Sequence, residues 1–571
     1  MTVSGRFHAY SRLGWIGALL AAAVVLLSCA LLPANAGAHA ERATFFPDPN
    51  QGDFPEYRDY GPELVVCTKE SRRLIQDNIE DSALRRENLQ LRSKCKFTTI
   101  QMAVNFAKNG YRIKVLPGVY KEQRWIDTRP AGCDDVYNRT AAGATALTYE
   151  EHRQCPNAQN LIAILGDTNG DRICDAKCNI QIEGTGDDPG DVEILGQKQR
   201  LNVIRADRAD GIYLKNFTVE YSDFNNIYVL ETNGFHLGGI VSKYSREYGI
   251  LSFTSDHGIY ENCDTSYSGD SGVYPGSGPN ARHGQPDAHG HVYGIILRNC
   301  NSHHNTIGMS GTAGNGTWAH NNQFHDNATG ITTDSFAGGH PGMPQDNSKW
   351  SQNLIYSNNN DLFNDERDAY CQQVEWRWRD PEKVCPTFQV PVGTGQLIAG
   401  GNANVVEENY VFDNWRRGTM LHWVPAALRG EEDAGKTYDT SANNRYVRNC
   451  MGTRPVDMTN VDFTQCEGSR DPNGVDFWWD EEEGQDCVEE QPGCVDNDSL
   501  NGNCWDSNRG FDGNPYSSDP PALLLPSCPG LDAFRSGNSA KQATLVPCAT
   551  WNPTDNTDPP GCDWFTRPPE P

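Results

Sequence analysis

The chain has 571 residues, with 48 Lys+Arg against 75 Asp+Glu, a formal net charge of −27, and 19 cysteines. So acidic a chain is repelled by nucleic-acid phosphates and by anionic membrane surfaces, which excludes both as principal partners. Cysteine at this density, without a repeated metal-ligand spacing, points to a disulfide framework and an oxidising compartment.

Residues 1–40 read as an export signal. Arg6 and Arg12 precede an apolar stretch from about Leu13 to Leu32, and Ala34-Asn35-Ala36 and Ala38-His39-Ala40 both suit cleavage. A retained membrane anchor and a lipoprotein linked through Cys29 are the alternatives, the second disfavoured because the apolar run continues past the cysteine. No later segment approaches membrane-spanning length, so a secreted protein without a membrane span in the mature chain is expected. Removing the signal leaves 18 cysteines, enough for up to nine disulfides.

Residues 41–97 form an N-terminal extension with a helical stretch around Lys69 to Leu91, between Cys67 and Cys95. Ile100, Ala103, Val104 and Ala107 then recur at helical spacing, and Gly110 is placed to end that helix. Ile113 and Val115 alternate with Arg112 and Lys114 as a half-buried strand, and Pro117-Gly118 turns the chain. A helix followed by a first strand can plug the open end of a β-solenoid.

Residues 127–198 read as an insertion holding Cys133, Cys155, Cys174 and Cys178. The last two suggest a disulfide-stapled loop rather than a zinc knuckle, since no His pair accompanies them. Asp167, Asn169 and Asp171 at alternate positions of a tight loop, with Asp175 beyond, match the start of a calcium-binding loop. Arg172 and Cys178 stand where an EF-hand has Gly and Glu, so the expectation is a Ca²⁺-stabilised loop of another kind. An Asp/Asn-rich turn is the alternative.

The regular part of the chain lies in 98–450. Asn226, Gly249, Gly272, Gly308 and Gly330 are each followed by an apolar residue, Ile227, Ile250, Val273, Met309 and Ile331, at intervals of 23, 23, 36 and 22. A period near 23 without helical periodicity or regular Leu predicts stacked β-coils, a right-handed parallel β-helix, with those five side chains as one inward ladder. Cys263 and Cys300 fall nine and eight residues before their glycines and could touch. His303 and His325 should stack, with Tyr244 and Tyr267 continuing their ladder and His304 and Asp326 in the adjacent position. Residues 451–571 read as an acidic, Cys-rich C-terminal region that needs its bridges to be stable.

The long interval is a Pro-, Gly- and His-rich loop within 273–291. Nine of 14 histidines fall between His257 and His340. The candidate catalytic set is Asp270, Arg282, His283, Asp287, His289 and His291. His283 or His289 would serve as base, Asp287 as its orienter or a cation ligand, and Arg282 as a carboxylate clamp. The same His-x-His plus Asp grouping also suits a transition-metal site.

Thr99-Ile100-Gln101, Ala103, Ala107, Gly110, Ile113, Val115, Pro117-Gly118-Val119-Tyr120 and Glu122 resemble the opening segment of right-handed parallel β-helix proteins of the pectin-lyase-like superfamily. Gly211-Ile212-Tyr213, Asn226-Ile227-Tyr228, Gly249-Ile250-Leu251 and Gly330-Ile331-Thr332 resemble its later coils. The resemblance spans roughly 98–450. It implies the fold, and a lyase or hydrolase acting on an extracellular polysaccharide, although the superfamily includes non-enzymes. Its catalytic signatures do not carry over. Arg112-Ile113-Lys114 and Asp134-Asp135 stand in the wrong order for a polygalacturonase-like hydrolase, and Gly-His-Gly and the epimerase Asp-Pro-His are absent. Arg282, Arg298 and Lys243 are the basic residues that a pectate-lyase-like site could recruit. Three expectations stand: a polysaccharide-active enzyme, a non-catalytic glycan-binding or structural β-helix, and a metal-handling β-helix. Calcium is the one cofactor expected.

Overall fold

The computed structural model describes residues 42–141, 145–279, 283–336, 340–424, 440–482, 502–528, 537–551 and 559–571. The export signal and Arg282 lie outside the described residues. The chain winds into a right-handed parallel β-helix with three ladders of strands. The first face runs from Glu63–Val66 through Arg112–Val115 and Gln181–Gly184 to Cys504–Asp506. The second runs from Gly118–Tyr120 through Val192–Leu195 to Cys450–Met451. The third is an 11-stranded sheet from Asn160–Leu165 to Ser518–Asp519.

Short strands joined by sharp corners explain the composition. Between the first and second faces Asn216, Gly239, Asn262, Asn299 and Asn321 take positive φ of 53–61°. Asn tolerates this left-handed conformation better than other side-chain-bearing residues. The next residue inward builds a ladder, Asn322, Asn353, Asn409, Asn449 and Asn508. Each of its first four members donates its backbone N–H and its Nδ2 to Oδ1 of the following one, at 2.9–3.1 Å. A second ladder, Asn305, Asn327, Asn358, Asn414 and Asn473, does the same at the corner before the third face. Corner carbonyls and N–H groups that water cannot reach are thus satisfied.

The inward ladder is as the spacing predicts. Ile227, Ile250, Val273, Met309 and Ile331 are in register and buried, and Gln396 and Thr419 continue the row. Cys263 and Cys300 are bonded across neighbouring coils, Cys174 and Cys178 close their loop, and Cys67 and Cys95 bracket the extension. The aromatic ladder differs by one position. Tyr221, Tyr244 and Tyr267 stack at the corner and lead to His304, not His303. His303 pairs in register with Ser266, and stacks through His325 and Tyr356 to Phe412. The cause is a corner one residue shorter: Tyr267 precedes Val273 by six residues, whereas His304 precedes Met309 by five.

The capping helix spans Ile100–Phe106, and Gly110, at φ 76°, serves the turn after it rather than its C-cap. Glu122 caps the other end. Its carboxylate accepts the N–H groups of Ile100 and Gln101 at 2.8 and 3.1 Å. The extension carries two helices, Ser71–Asn78 and Ser82–Ser93, broken where Asp81 caps the second. Coils also run on beyond the expected limits. Asn160–Leu165, Gln181–Gly184 and Val192–Leu195 lie inside the Cys insertion, and Phe477–Trp479, Cys504–Asp506 and Ser518–Asp519 inside the C-terminal region.

Candidate functional site

Register dictates what the third face shows outward. Residues one and three places after the inward ladder point away from the core. After Ile204 these are Arg205 and Asp207; after Val273 and Ile331 they include Tyr274 and Asp334; after Thr419, His422. Polar and titratable side chains alternate on this wall with apolar ones such as Leu230, Leu251, Phe253, Leu397 and Met420, and nearly all of it is buried.

At its N-terminal end three guanidiniums interleave with three carboxylates. Arg205 donates to Asp207 at 2.8 Å, and Arg42 grips the same carboxylate at 3.0 and 3.1 Å while reaching Glu231 at 2.8 Å. Arg208 joins Glu231 at 2.6 Å and Asp167 at 2.8 Å. Although burial opposes it, the Arg42 and Arg205 charges hold Asp207 down at about 2. Past the midpoint toward the C-terminal end, His422 Nδ1 lies 3.0 Å from Asp480 Oδ2, both fully buried.

The centre of the wall has the opposite character. Asp270 and Asp334 are buried, with hydroxyl, phenol and backbone groups, one another and Glu247 for company, and no basic group among the causes that shift them. Thr312 donates its hydroxyl to both oxygens of Asp334 at 3.0–3.1 Å, and Phe336 its N–H at 3.0 Å. Ser271 and Ser310 share a hydrogen bond of 2.8 Å beside them. Burial pushes Asp334 up to about 6 and Asp270 to about 7, the Asp334 charge adding to the latter. Burial and the Asp270 charge push Glu247 up to about 8. Tyr248 and Tyr274 are raised by burial and by these acids, so both phenols keep their protons. Asp270 Oδ1 has no hydrogen-bond partner among the described residues. A carboxyl group of near-neutral pKa with a free oxygen is equipped to give or take a proton.

The expected site residues do not converge. His283, His289 and His291 are exposed, on a loop that folds against the first face. Asp287 is anchored there. Lys349 donates to its Oδ2 at 2.8 Å, and its Oδ1 accepts the backbone N–H groups of His289 and His291. Asp270 alone of the catalytic set stands on the third wall. Asp167, Asn169, Asp171 and Asp175 are occupied separately: Asp167 by Arg208 and three backbone N–H groups, Asn169 and Asp171 by each other, Asp175 by Thr168. No group of three or more His, Cys, Asp or Glu side chains among the described residues is placed to hold a metal ion. Asp334, Glu247, Tyr248 and Tyr274 escaped sequence reasoning. Counting outward from the ladder residues would have found Asp334 and Tyr274.

No protein-family model and no curated protein sequence matches the chain. Among solved structures, pectate lyase Pel9A is 11% identical over 82% of each chain, with a TM-score of 0.33. The A-module of mannuronan C-5 epimerase AlgE4 from Azotobacter vinelandii is 11% identical, covering 73% of this chain and 94% of that one, at 0.35. The periplasmic alginate epimerase AlgG is 10% identical, covering 60% and 75%, at 0.25. With its coils, corners and capping helix in place, the chain is a right-handed parallel β-helix protein.

Proposed function

We propose that this is an exported polysaccharide-active protein whose acid–base groups lie on the outer wall of the third face, beneath its surface. Asp270 and Asp334 act as its acid–base pair, and Tyr248 and Tyr274 as neutral hydrogen-bond donors to the sugar. The observation that carries the reading is the cluster on one wall of two buried carboxyl groups, Asp270 with an unpartnered Oδ1 and Asp334 bonded by Thr312, both pushed up by burial. A proton donor and acceptor of near-neutral pKa is what cleavage or epimerisation at a sugar carbon requires. Eight disulfides among the described residues fit an oxidising compartment outside the cytoplasm. No helix among those residues is long and apolar enough to cross a membrane.

The test is glycan cleavage by the mature protein across plant, algal and bacterial polysaccharides, with and without Ca²⁺. Reducing ends and the ultraviolet absorbance of unsaturated products are read together. Absorbance with reducing ends identifies a lyase, and reducing ends alone a hydrolase. Activity that Asp270→Asn abolishes and His289→Ala spares supports the third wall; the reverse moves the site to the 283–291 loop. A specific observation favours a second reading, a non-catalytic glycan-binding protein: Arg42 holds the N-terminal arm against the wall. Glycan binding without cleavage by folded protein would establish it.

A further inference from the structure

The hairpin of Gln285–Pro286 and Val292–Tyr293 folds back on the first face and buries Asp287 and Tyr293 there. Three groups meet at this point. Lys349 Nζ lies 2.8 Å from Asp287 Oδ2 and 2.6 Å from Glu407 Oε1. The side chains are 6%, 1% and 12% exposed for Lys349, Asp287 and Glu407. Tyr293 is buried, and the Trp318 ring lies 5.6 Å from the lysine nitrogen. On the far side of the Asp287 carboxyl, the N–H groups of His289 and His291 point at Oδ1 from 2.9 and 3.0 Å.

A lysine nitrogen against one carboxyl oxygen, two N–H donors on the other and a second carboxylate on the nitrogen are the groups that acyl transfer needs. We propose that Lys349 and Asp287 condense into a side-chain amide, with Glu407 as the proton carrier. The lysine ammonium first gives a proton to the Asp287 carboxylate, leaving a neutral amine and a carboxylic acid. The Nζ lone pair then attacks Cγ. The developing negative charge on Oδ1 is held by the N–H groups of His289 and His291. Glu407 takes the proton released from Nζ and passes it to the Oδ2 hydroxyl. The Cγ–Oδ2 bond breaks, water leaves, and Glu407 ends as it began, a carboxylate. No oxidant or co-reactant is consumed.

Two features set the rate. Burial pulls the Lys349 pKa down, but its two carboxylates outweigh that and hold it up; burial pushes Asp287 up, but Lys349 and the loop N–H groups hold it down. The resting state is therefore an ion pair, and the first proton transfer makes the reaction slow and single-turnover. Against that, fixed contact replaces a bimolecular encounter, and the three side chains are largely covered from solvent. The product ties the hairpin carrying His283, His289 and His291 permanently to the coil, across 62 residues of chain.

Mass spectrometry of the full exported protein, after reduction and alkylation of its disulfides, decides the matter. The expected result is a mass lower by one water and a branched tryptic peptide joining the Asp287 and Lys349 segments. The branched peptide is the deciding signal, because Asp-Gly sequences elsewhere also lose water. A full sequence mass with separate linear peptides overturns the proposal. Asp287→Ala should give no branched peptide, and Asp287→Asn should release ammonia in place of water. Glu407→Gln should leave the chain uncrosslinked; crosslinking at the wild-type rate there overturns the role given to Glu407.

Discussion

The guanidinium of Arg42 makes a two-point contact with the fully buried carboxylate of Asp207, at 3.0 and 3.1 Å. It is the one described contact by which the N-terminal arm supplies a charge to the third wall, and it also reaches Glu231. Arg42→Ala leaves Asp207 with Arg205 and Glu231 with Arg208, so neither acid is stranded. The expected loss is about 2 kcal/mol in denaturant unfolding. Asp207→Ala abandons two cations instead and should cost about twice as much. Equal losses for the two variants would contradict the interleaved arrangement.

The asparagine ladders should be the most sensitive positions outside the apolar core. Asn353 donates to Asn409 twice and to the Ala319 carbonyl, and accepts two bonds from Asn322. Asn353→Ala strands buried groups on both neighbouring coils, for an expected loss of about 3 kcal/mol. Asn353→Asp keeps the acceptor but loses the Nδ2 donor, and buries a carboxylate against the Asn409 acceptor, so it should do no better. Unfolding curves of the two variants against an exposed control, Asn138→Ala, give the comparison.

What the sequence made legible follows from where the chain is periodic. Gly249 to Ile250 and Gly272 to Val273 mark one strand of each coil at constant spacing, so the inward ladder could be read directly. The asparagine ladder could not, because Asn305, Asn327, Asn358, Asn414 and Asn473 are separated by 22, 31, 56 and 59 residues. Loops of unequal length leave the coils and return to them, and only the backbone register keeps count. The same holds for function. Histidine density drew attention to His283, His289 and His291, which the fold leaves exposed. Asp270 and Asp334 lie 64 positions apart, with nothing local in the sequence to connect them.

Stability should fall as pH rises from mildly acidic to alkaline. Asp270 and Glu122 are pushed up to about 7 and Asp334 to about 6, all primarily by burial. Between the ordinary carboxylate value of about 4 and these raised values, the folded state binds more protons than the unfolded one. Each such group removes about 1.4 kcal/mol per pH unit across its window. Asp207 has the opposite sign: held at about 2, it contributes stability above the ordinary range that disappears as pH falls toward 2. The melting temperature should therefore peak at about pH 4 and decline steadily toward pH 8. A maximum above pH 8 would show that these carboxyl groups are not buried in their neutral form.

Asp270→Asn separates the chemistry from the stability. At pH 8 the wild-type protein must hold a carboxylate in a site that favours the acid, and the amide removes that conflict while keeping the shape. The variant should be more stable than wild type by about 4 kcal/mol at pH 8 and by only about 1 kcal/mol at pH 5, where the folded wild-type protein still holds the proton that the unfolded chain has begun to lose. If Asp270 is the proton-transfer group, kcat on a cleaved glycan should fall by about 10²–10⁴ with little change in KM. Asp334→Asn should gain less stability, since its pKa is raised less and Thr312 and Phe336 already bond its carboxylate. A gain in stability at pH 8 with full retention of activity would make Asp270 a buried structural acid and remove it from the site. Loss of activity with no gain would mean that its proton is supplied by a neighbour, with Glu247, at about 8, the first to replace.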